Sequence, residues 1–399
     1  MYGAIMGDIV GSRFEFDRGD KTKDFKLFTE ESVYTDDTVM TVAVAKALLD
    51  AGPNADEDII KRNLVISMKN YGRAFPDAGY GGRFIHWLFS DDMEPYNSYG
   101  NGSAMRVSPV GWLYDSIDRT REVARWTAEV THSHPEGVKG AESVAAIIYL
   151  ARNGYDKDFI KKYVELEFGY DLSRTCDEIR PGYHHVESCQ ETVPEAITAF
   201  LEGKHFTDVV RTAVSLGGDC DTLTDIAAAM GEAYYGMPYE FINEIDDRLP
   251  KELLDVVKEF DEIRGSIVAV KRDYVKHEDM PKRNEVFSFG RKFNPEEIRN
   301  LRRGNIPKQM EDKWFFYMKR NRLYAHRSWT GYLIFIIEFD FDSRIHKVTM
   351  NRDPKQYNSI SVEDDIEHIN ECLNWWTNDH YDFYEHWLSD TVKALGIND

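Results

Sequence analysis

The 399-residue sequence contains only four cysteines, and no two of them form a CxxC pair: Cys176, Cys189, Cys220 and Cys372. This spacing argues against a zinc site built from thiolates and favours reduced, structural thiols. Cys220 lies between two aspartates, but a hard cation held by oxygen ligands would not recruit its sulfur. We therefore interpret Cys220 as a packing residue.

The sequence also lacks an apolar run of twenty residues, and its N-terminus lacks a charged region followed by a cleavable apolar stretch. These absences predict a soluble, cytoplasmic protein without a membrane partner. The formal net charge of −21 disfavours general binding to nucleic acid. One stretch differs, since Lys271 to Arg327 holds sixteen Lys and Arg against eight Asp and Glu. We interpret this stretch as a solvated linker or a docking face, which leaves local nucleic-acid binding open.

Two segments place paired carboxylates at the start of an apolar helix. In ESVYTDDTVMTVAVAKALLD (31–50) the pair is Asp36 and Asp37, and in AVSLGGDCDTLTDIAAAMGEAYYG (213–236) it is Asp219 and Asp221. One Asp or Thr suffices to cap a helix. Two adjacent carboxylates repel each other, so the second needs solvent or a cation, and oxygen ligands suit Mg²⁺ or Mn²⁺. Plain helix capping remains the simpler alternative at each segment.

A third acidic turn lies in MGDIVGSRFEF (6–16), where Asp8 and Glu15 flank the glycines Gly7 and Gly11. All three acidic turns adjoin segments that are apolar enough to be buried. Uncompensated buried carboxylates would cost several kcal/mol each, so the turns need a common counter-charge. A shared pair of divalent cations would supply that charge.

These motifs resemble those of the ADP-ribosylglycohydrolases, the family that includes the dinitrogenase reductase-activating glycohydrolases. The matching motifs are GDxxG with Glu15, TDDT (35–38), NSYGNGSAMR (97–106), THSHPEG (131–137), SCQETVPEAITAFLEG (188–203) and GGDxDT (217–222). They occur in the family's order between residue 1 and about residue 265. The resemblance implies an all-α orthogonal helical bundle over residues 1–265, in agreement with the helical periodicity there. It also implies a binuclear centre of two divalent cations, Mg²⁺ or Mn²⁺.

The resemblance also implies roles for individual residues. The metal ligands would be Thr35, Asp36, Asp37, Asp219, Asp221 and Thr222, with Glu15 as a further ligand or gate. The catalytic carboxylates would be Glu15, Asp36, Asp37 and Asp219. The substrate's diphosphate would lie on Ser98, Tyr99, Gly100, Asn101, Gly102 and Ser103, with His132 beside the ribose. Without the family, the same loop is equally well a glycine-rich turn. The segment FPDAGYGGRF (75–84) is a weaker candidate for this pocket.

The sequence changes character after Pro281. NRLYAHRSWTGYLIFIIEFDFDSRIHKVTMNRD (321–353) is rich in aromatic and β-branched residues, which predicts strands. Two helical runs follow, VEDDIEHINECLNWWTND (362–379) and DFYEHWLSDTVKAL (382–395). We predict a charged linker over 266–282 and a small α+β domain over 283–399. The family resemblance does not extend over that domain, and the sequence assigns it no function.

The resemblance implies a metal-dependent hydrolase that reverses ADP-ribosylation by cleaving the glycosidic bond between ADP-ribose and a modified side chain. Arginine is the first side chain to expect, and the substrate would be a modified protein or a small molecule that contains ADP-ribose. One alternative is an immunity-type protein that binds ADP-ribose or an ADP-ribosylating toxin without turnover. Another is a hydrolase of ADP-ribosylated nucleic acid, for which the basic stretch is the only indication. Nothing in the sequence indicates the oligomeric state.

Overall fold

A computed structural model of the chain describes residues 1–114, 116–153, 155–264, 267–268, 276–293, 297–298, 300–301, 304–307, 312–319, 321–340, 344–358 and 361–377. These residues form two compact units. The first contains residues 1–237 and 242–264, and the second contains residues 238–241 and the described residues from 267 onward. No helix within these ranges is both long and apolar enough to cross a bilayer.

The first unit is built almost wholly from helices. They are α1 (Tyr2–Gly11), α2 (Asp36–Ala51), α3 (Glu57–Ala74), α4 (Gly82–Phe89), α5 (Gly102–Met105), α6 (Ser108–Leu113), α7 (Ile117–Glu129), α8 (Pro135–Arg152), α9 (Lys157–Phe168), α10 (Cys176–Ile179), α11 (Cys189–Glu202), α12 (Phe206–Val214), α13 (Cys220–Tyr235), α14 (Ile242–Asp246) and α15 (Lys251–Arg264). A 3-10 turn, Ser12–Phe14, follows α1. The helical character predicted for residues 1–265 is confirmed, while the orthogonal arrangement stays a prediction.

Helix α1 packs closely against α13 through three glycines. Gly3, Gly7 and Gly11 recur every four residues, and a Cβ on any of them would lie 2.4–2.5 Å from a backbone carbonyl oxygen of α13. Such a distance is far inside van der Waals contact, so only glycine permits this approach. The packing brings the C-terminal end of α1 to the N-terminal end of α13, and with it the acidic turns of the two helices.

The helices that carry the acidic turns are buried. All ten residues of α1 are buried, and so is every residue of α13 from Cys220 to Ala233. Their carboxylates therefore lie inside the protein, where a charge without a partner is costly. All four cysteines are buried and free, as predicted.

The second unit contains a five-stranded antiparallel sheet and a helix. Strands β1 (Met237–Pro238) and β2 (Ile267–Val268) form a separate pair, and the sheet contains β3 (Asn284–Gly290), β4 (Trp314–Lys319), β5 (Arg322–Arg327), β6 (Leu333–Glu338) and β7 (Ile345–Asn351) in the order β3-β7-β6-β5-β4. Helix α16 (Val362–Thr377) packs Leu373 and Trp376 into a core with Phe335 and Ile337. The predicted strands and first helix are thus confirmed. The predicted helix at 382–395 lies outside the described residues, as do residues 266 and 269–275 of the predicted linker at 266–282.

Candidate active site

Asp8 on α1 fixes the TDDT turn that begins α2. Its side chain is fully buried and accepts hydrogen bonds from the backbone N–H groups of Thr35 (2.9 Å) and Thr38 (3.1 Å). It also accepts from their hydroxyl groups, at 2.8 and 2.5 Å. Burial raises the pKa of Asp8 to about 6, although these hydrogen bonds favour the charged form. Asp8 therefore holds this turn in place and leaves Asp36 and Asp37 to other partners.

Thr35, rather than either aspartate, caps α2. The Thr35 hydroxyl accepts a hydrogen bond from the Asp37 backbone N–H at 3.4 Å. The Asp37 side chain accepts one from the Thr222 hydroxyl at 3.2 Å, which joins this turn to α13. Its other oxygen, Oδ2, is buried with no hydrogen-bond partner among the described residues. Burial, and then Asp221, raise the pKa of Asp37 well above its usual range. These observations contradict plain capping as the account of Asp36 and Asp37.

The GGDCDT segment forms a sharp turn into α13. Gly217 and Gly218 have φ angles of 76° and 80°, in the left-handed region that favours glycine. Asp219 occupies the N-cap position, yet its side chain makes no capping hydrogen bond. It accepts a hydrogen bond from the Asn101 side-chain amide at 2.6 Å instead. The capping alternative therefore fails for Asp219 as well.

Glu15, Asp219 and Asp221 converge from two turns. Each offers a carboxylate oxygen, and these three atoms lie within 4.8 Å of one another. Burial, and then Asp219, raise the pKa of Glu15 to about 7 and also raise the pKa of Asp221. Burial, and then Asp8, raise the pKa of Asp36 to about 8. A divalent cation would relieve both the repulsion and the burial penalty, so the donor set fits a hard, oxygen-ligated ion.

Glu15, Asp219 and Asp221 form the acidic cluster of the site. Asp17 links this cluster to the loop that contains His185. One of its oxygens accepts a hydrogen bond from the Gly218 N–H, and the other accepts one from the His185 N–H, both at 3.0 Å. The His185 ring packs on Phe16 with the ring centroids 4.8 Å apart. Burial alone would lower the pKa of His185, but Glu187 and Asp219 outweigh it and the pKa is raised. The segment after Glu15 is thus tied to the GGD turn on one side and to the His185 loop on the other.

The NSYGNG loop lies beside the cluster but uses several of its own donors. The Ser98 N–H donates to Thr131 O, the Gly100 N–H to Ser98 Oγ and the Asn101 N–H to Glu187 O. The Ser103 hydroxyl donates to Gly137 O at 2.7 Å. Fewer backbone N–H groups are therefore free to bind a diphosphate than the run of residues suggested. The Asn101 side chain serves Asp219, which connects this loop to the acidic cluster.

The two histidines of THSHP have different surroundings. His132 is buried, and its Nε2 lies 3.2–3.4 Å from the positions that a Cβ on Gly102 or Gly100 would take. His134 is the N-cap of α8, and its Nδ1 accepts from the Glu136 N–H. Only His132 thus lies against the glycines of the NSYGNG loop.

The weaker candidate segment at 75–84 borders Asp36. The Ala78 carbonyl accepts a hydrogen bond from the Asp36 N–H at 2.8 Å. Gly79, with a φ of 103°, places its backbone next to the Asp36 carboxylate, since a Cβ there would lie 3.5 Å from Asp36 Oδ1. The segment therefore belongs to the surroundings of the TDDT turn.

One acidic residue of this region was missed by the sequence reasoning. Asp225 is fully buried, and both of its carboxylate oxygens lack a hydrogen-bond partner among the described residues. Burial, and then Asp8, raise the pKa of Asp225 well above its usual range. Its position four residues after Asp221 puts it on the same face of α13. That spacing was a signal that could have identified it.

The chain belongs to the ADP-ribosylglycohydrolase family, whose model matches residues 1–280. The family expected from the motifs is thereby confirmed. Human ADP-ribosylhydrolase ARH3 is 28% identical over 309 residues, which cover 59% of this chain and 84% of ARH3. ADP-ribosylarginine hydrolase Tri1 from Pseudomonas putida is 26% identical over 301 residues, which cover 66% of this chain and 79% of Tri1. A solved structure of an ADP-ribosylglycohydrolase-related protein complex is 22% identical in sequence, with a TM-score of 0.49. The match covers 67% of this chain and 96% of the chain in that structure.

Proposed function

We propose that the first unit is a metal-dependent hydrolase that releases ADP-ribose from a modified protein side chain, with arginine as the first linkage to test. The observation that carries this proposal is the convergence of acidic turns, in which Glu15, Asp219 and Asp221 meet within 4.8 Å. Family membership supports ADP-ribose hydrolysis in general. The name of one relative, ADP-ribosylarginine hydrolase, supports arginine as the linkage.

Two divalent cations, Mg²⁺ or Mn²⁺, fit the donor set. The residues that would hold them are Thr35, Asp36, Asp37, Asp219, Asp221 and Thr222, with Glu15 as a further ligand. The orphaned Asp37 Oδ2 and the clustered oxygens of the triad support this assignment. Such ions, when bound, would be coordinated by the hydroxyl oxygens of the distal ribose, which orients the sugar, and they would activate a water.

Hydrolysis breaks the bond between the ribose anomeric carbon and the nitrogen or oxygen of the target. Water supplies a hydroxyl group to that carbon and a proton to the departing side chain. A carboxylate must therefore take a proton from water, and the leaving group must receive one. Among the four candidate catalytic carboxylates, Glu15 and Asp36 are partly exposed, whereas Asp37 and Asp219 are buried. We assign the proton transfer to Glu15 or Asp36, and the positioning of the sugar to Asp37 and Asp219.

The rest of the substrate would lie along the NSYGNG loop. Ser98, Tyr99, Gly100, Asn101, Gly102, Ser103 and His132 are the residues that we propose to contact the diphosphate and the adjacent ribose. Asn101 has a double role in this proposal, because its amide also holds Asp219 at 2.6 Å.

The test measures release of free ADP-ribose from arginine-, serine- and guanine-linked substrates in parallel. Protein treated with EDTA is expected to lose turnover and to recover it with Mg²⁺ or Mn²⁺. Full activity in verified metal-free protein would refute the metal dependence. Tight binding of ADP-ribose without release from any substrate would favour the binding protein, and release only from guanine would favour the nucleic-acid hydrolase.

A further inference from the structure

Arg106 is a buried cation that has no carboxylate partner in the part of the chain that the structure describes. Its side chain is 1% exposed, and no ion pair to it occurs among the described residues. One guanidinium nitrogen donates to the Thr127 carbonyl at 3.0 Å and to the Thr131 hydroxyl at 2.7 Å. A guanidinium group only donates hydrogen bonds, so Thr131 Oγ1 must be the acceptor in the second contact.

Because Thr131 Oγ1 accepts a hydrogen bond from Arg106, its own proton is directed toward His132. Thr131 is fully buried, and its hydroxyl oxygen lies 2.7 Å from His132 Nδ1. The hydroxyl carries one proton, and no other acceptor for it occurs among the described residues. If Nδ1 carried a proton, the buried hydroxyl proton would have no acceptor, which is the unfavourable arrangement. Thr131 therefore donates to Nδ1, and the proton of a neutral imidazole must reside on Nε2.

The protonated Nε2 faces the NSYGNG loop. A Cβ on Gly102 would lie 3.2 Å from it and a Cβ on Gly100 would lie 3.4 Å from it, so the two glycines keep this nitrogen uncovered. The ring also stays neutral, because burial, and then the charge of Arg106, lower the pKa of His132 well below its usual range. The loop has already used the N–H groups of Ser98, Gly100 and Asn101 within the protein. A side-chain donor at this place therefore matters to a ligand.

We propose that Arg106 and Thr131 are positioning residues that lock His132 in its neutral Nε2–H tautomer, so that the NSYGNG loop presents a hydrogen-bond donor to an anionic oxygen. The oxygen expected there is one from the diphosphate of ADP-ribose, and this part rests on the proposed function. The other tautomer would point a lone pair at that oxygen and repel it. The hydrogen-bond chain thus selects an acceptor group on the ligand over a donor group.

The tautomer is measurable in the ligand-free, full-length protein labelled with ¹⁵N-histidine. Long-range ¹H–¹⁵N correlation spectra distinguish a protonated Nε2 from a protonated Nδ1, and His132→Gln assigns the signal. The wild-type protein is expected to show the Nε2–H form alone at neutral pH. Thr131→Val removes the hydroxyl at nearly constant shape and is expected to populate the Nδ1–H form, whereas Thr131→Ser restores the wild-type spectrum. Thr198→Val, which removes a buried hydroxyl in α11 that donates to Pro194 O, is the matched control and leaves the spectrum unchanged.

The affinity for ADP-ribose in the presence of Mg²⁺ provides the second measurement. Thr131→Val is expected to bind about tenfold more weakly, because part of the population no longer donates to the ligand, and Thr131→Ser is expected to recover the affinity. An Nδ1–H tautomer in the wild-type protein, which needs no variant to observe, would overturn the inference. Unchanged tautomer and affinity in Thr131→Val would overturn it too. A wild-type protein that shows the Nε2–H form but neither binds nor releases ADP-ribose would refute the proposed function and, with it, the assigned ligand.

Discussion

Metal-free protein is expected to become less stable as the pH rises from 5 to 8. Several carboxylates near the acidic cluster have a folded-state pKa above the ordinary value, among them Asp8, Asp36 and Asp225. Well below pH 4 they are protonated in both the folded and the unfolded chain, so they contribute no difference. As the pH rises, the unfolded chain releases these protons first, and the free energy of unfolding falls until the folded-state pKa is passed.

Asp8 sets the scale of this effect. It is fully buried, and its pKa is raised from 3.8 to about 6. A tenfold difference in proton affinity corresponds to about 1.4 kcal/mol, so Asp8 alone predicts a total loss of about 3 kcal/mol. About half of that loss falls between pH 5 and pH 8, because the unfolded carboxyl group is already mostly ionised at pH 5. Asp225, whose two oxygens have no hydrogen-bond partner in the described part of the chain, adds to it in the same direction.

The assay is denaturant unfolding in EDTA at several pH values between 5 and 8. Asp225→Asn removes one of the buried titrating groups and is expected to flatten the dependence, whereas Asp58→Asn on the exposed face of α3 serves as the control and leaves it unchanged. Mg²⁺ at about 100 times its dissociation constant would restore about 2.7 kcal/mol, since it binds only the folded state. Stability that is constant or rises with pH in EDTA would refute the reasoning.

Asp219→Ala is expected to abolish ADP-ribose release in folded protein, whereas Asp156→Ala, which removes a side-chain cap from α9, costs about 1 kcal/mol in denaturant unfolding and leaves turnover unchanged. Gly7→Ala is expected to lower the melting temperature sharply, because its Cβ would lie 2.4 Å from the α13 backbone, whereas Gly82→Ala meets no atom within 4 Å and is the control. A chain ending at residue 270 is expected to cleave a small ADP-ribosyl-arginine as fast as the full chain. A folded, metal-loaded but inert truncation would show that cleavage needs residues beyond 270.

The acidic turns were predictable from the sequence because their chemistry is local. Two adjacent carboxylates before a buried helix, as at Asp36 and Asp37, have few physical explanations besides a cap or a cation. The structure argues against capping by these aspartates, since Thr35 caps α2 and the N-cap residue Asp219 makes no capping bond. Binding of a cation stays a proposal. Strands β5, β6 and β7 were predictable for a similar reason, because the enrichment of residues 321–353 in aromatic and β-branched types is also local.

The contacts that hold the turns in place could not be predicted, because they join distant positions. Asp8 binds residues 27 and 30 positions along the chain, Asn101 reaches Asp219 across 118 positions, and Asp17 reaches Gly218 across 201. No periodicity or motif in the sequence indicates which two residues form each of these pairs. Asp225 is different, since its helical spacing from Asp221 marks it in the sequence.

Asn101 joins the two chemically opposite parts of the candidate site. Its backbone N–H is held by the Glu187 carbonyl at 2.9 Å, which fixes the NSYGNG loop, while its side-chain amide donates to Asp219 at 2.6 Å. A neutral amide orients this carboxylate without cancelling its charge, so the acidic end of the site keeps its attraction for cations. His132, held by Arg106 and Thr131, provides a donor at the other end. ADP-ribose carries both ribose hydroxyls and a diphosphate. A site for such a substrate must hold the cation-binding carboxylates and the hydrogen-bond donor at a fixed distance from each other, and Asn101 contributes to this by connecting the loop to Asp219.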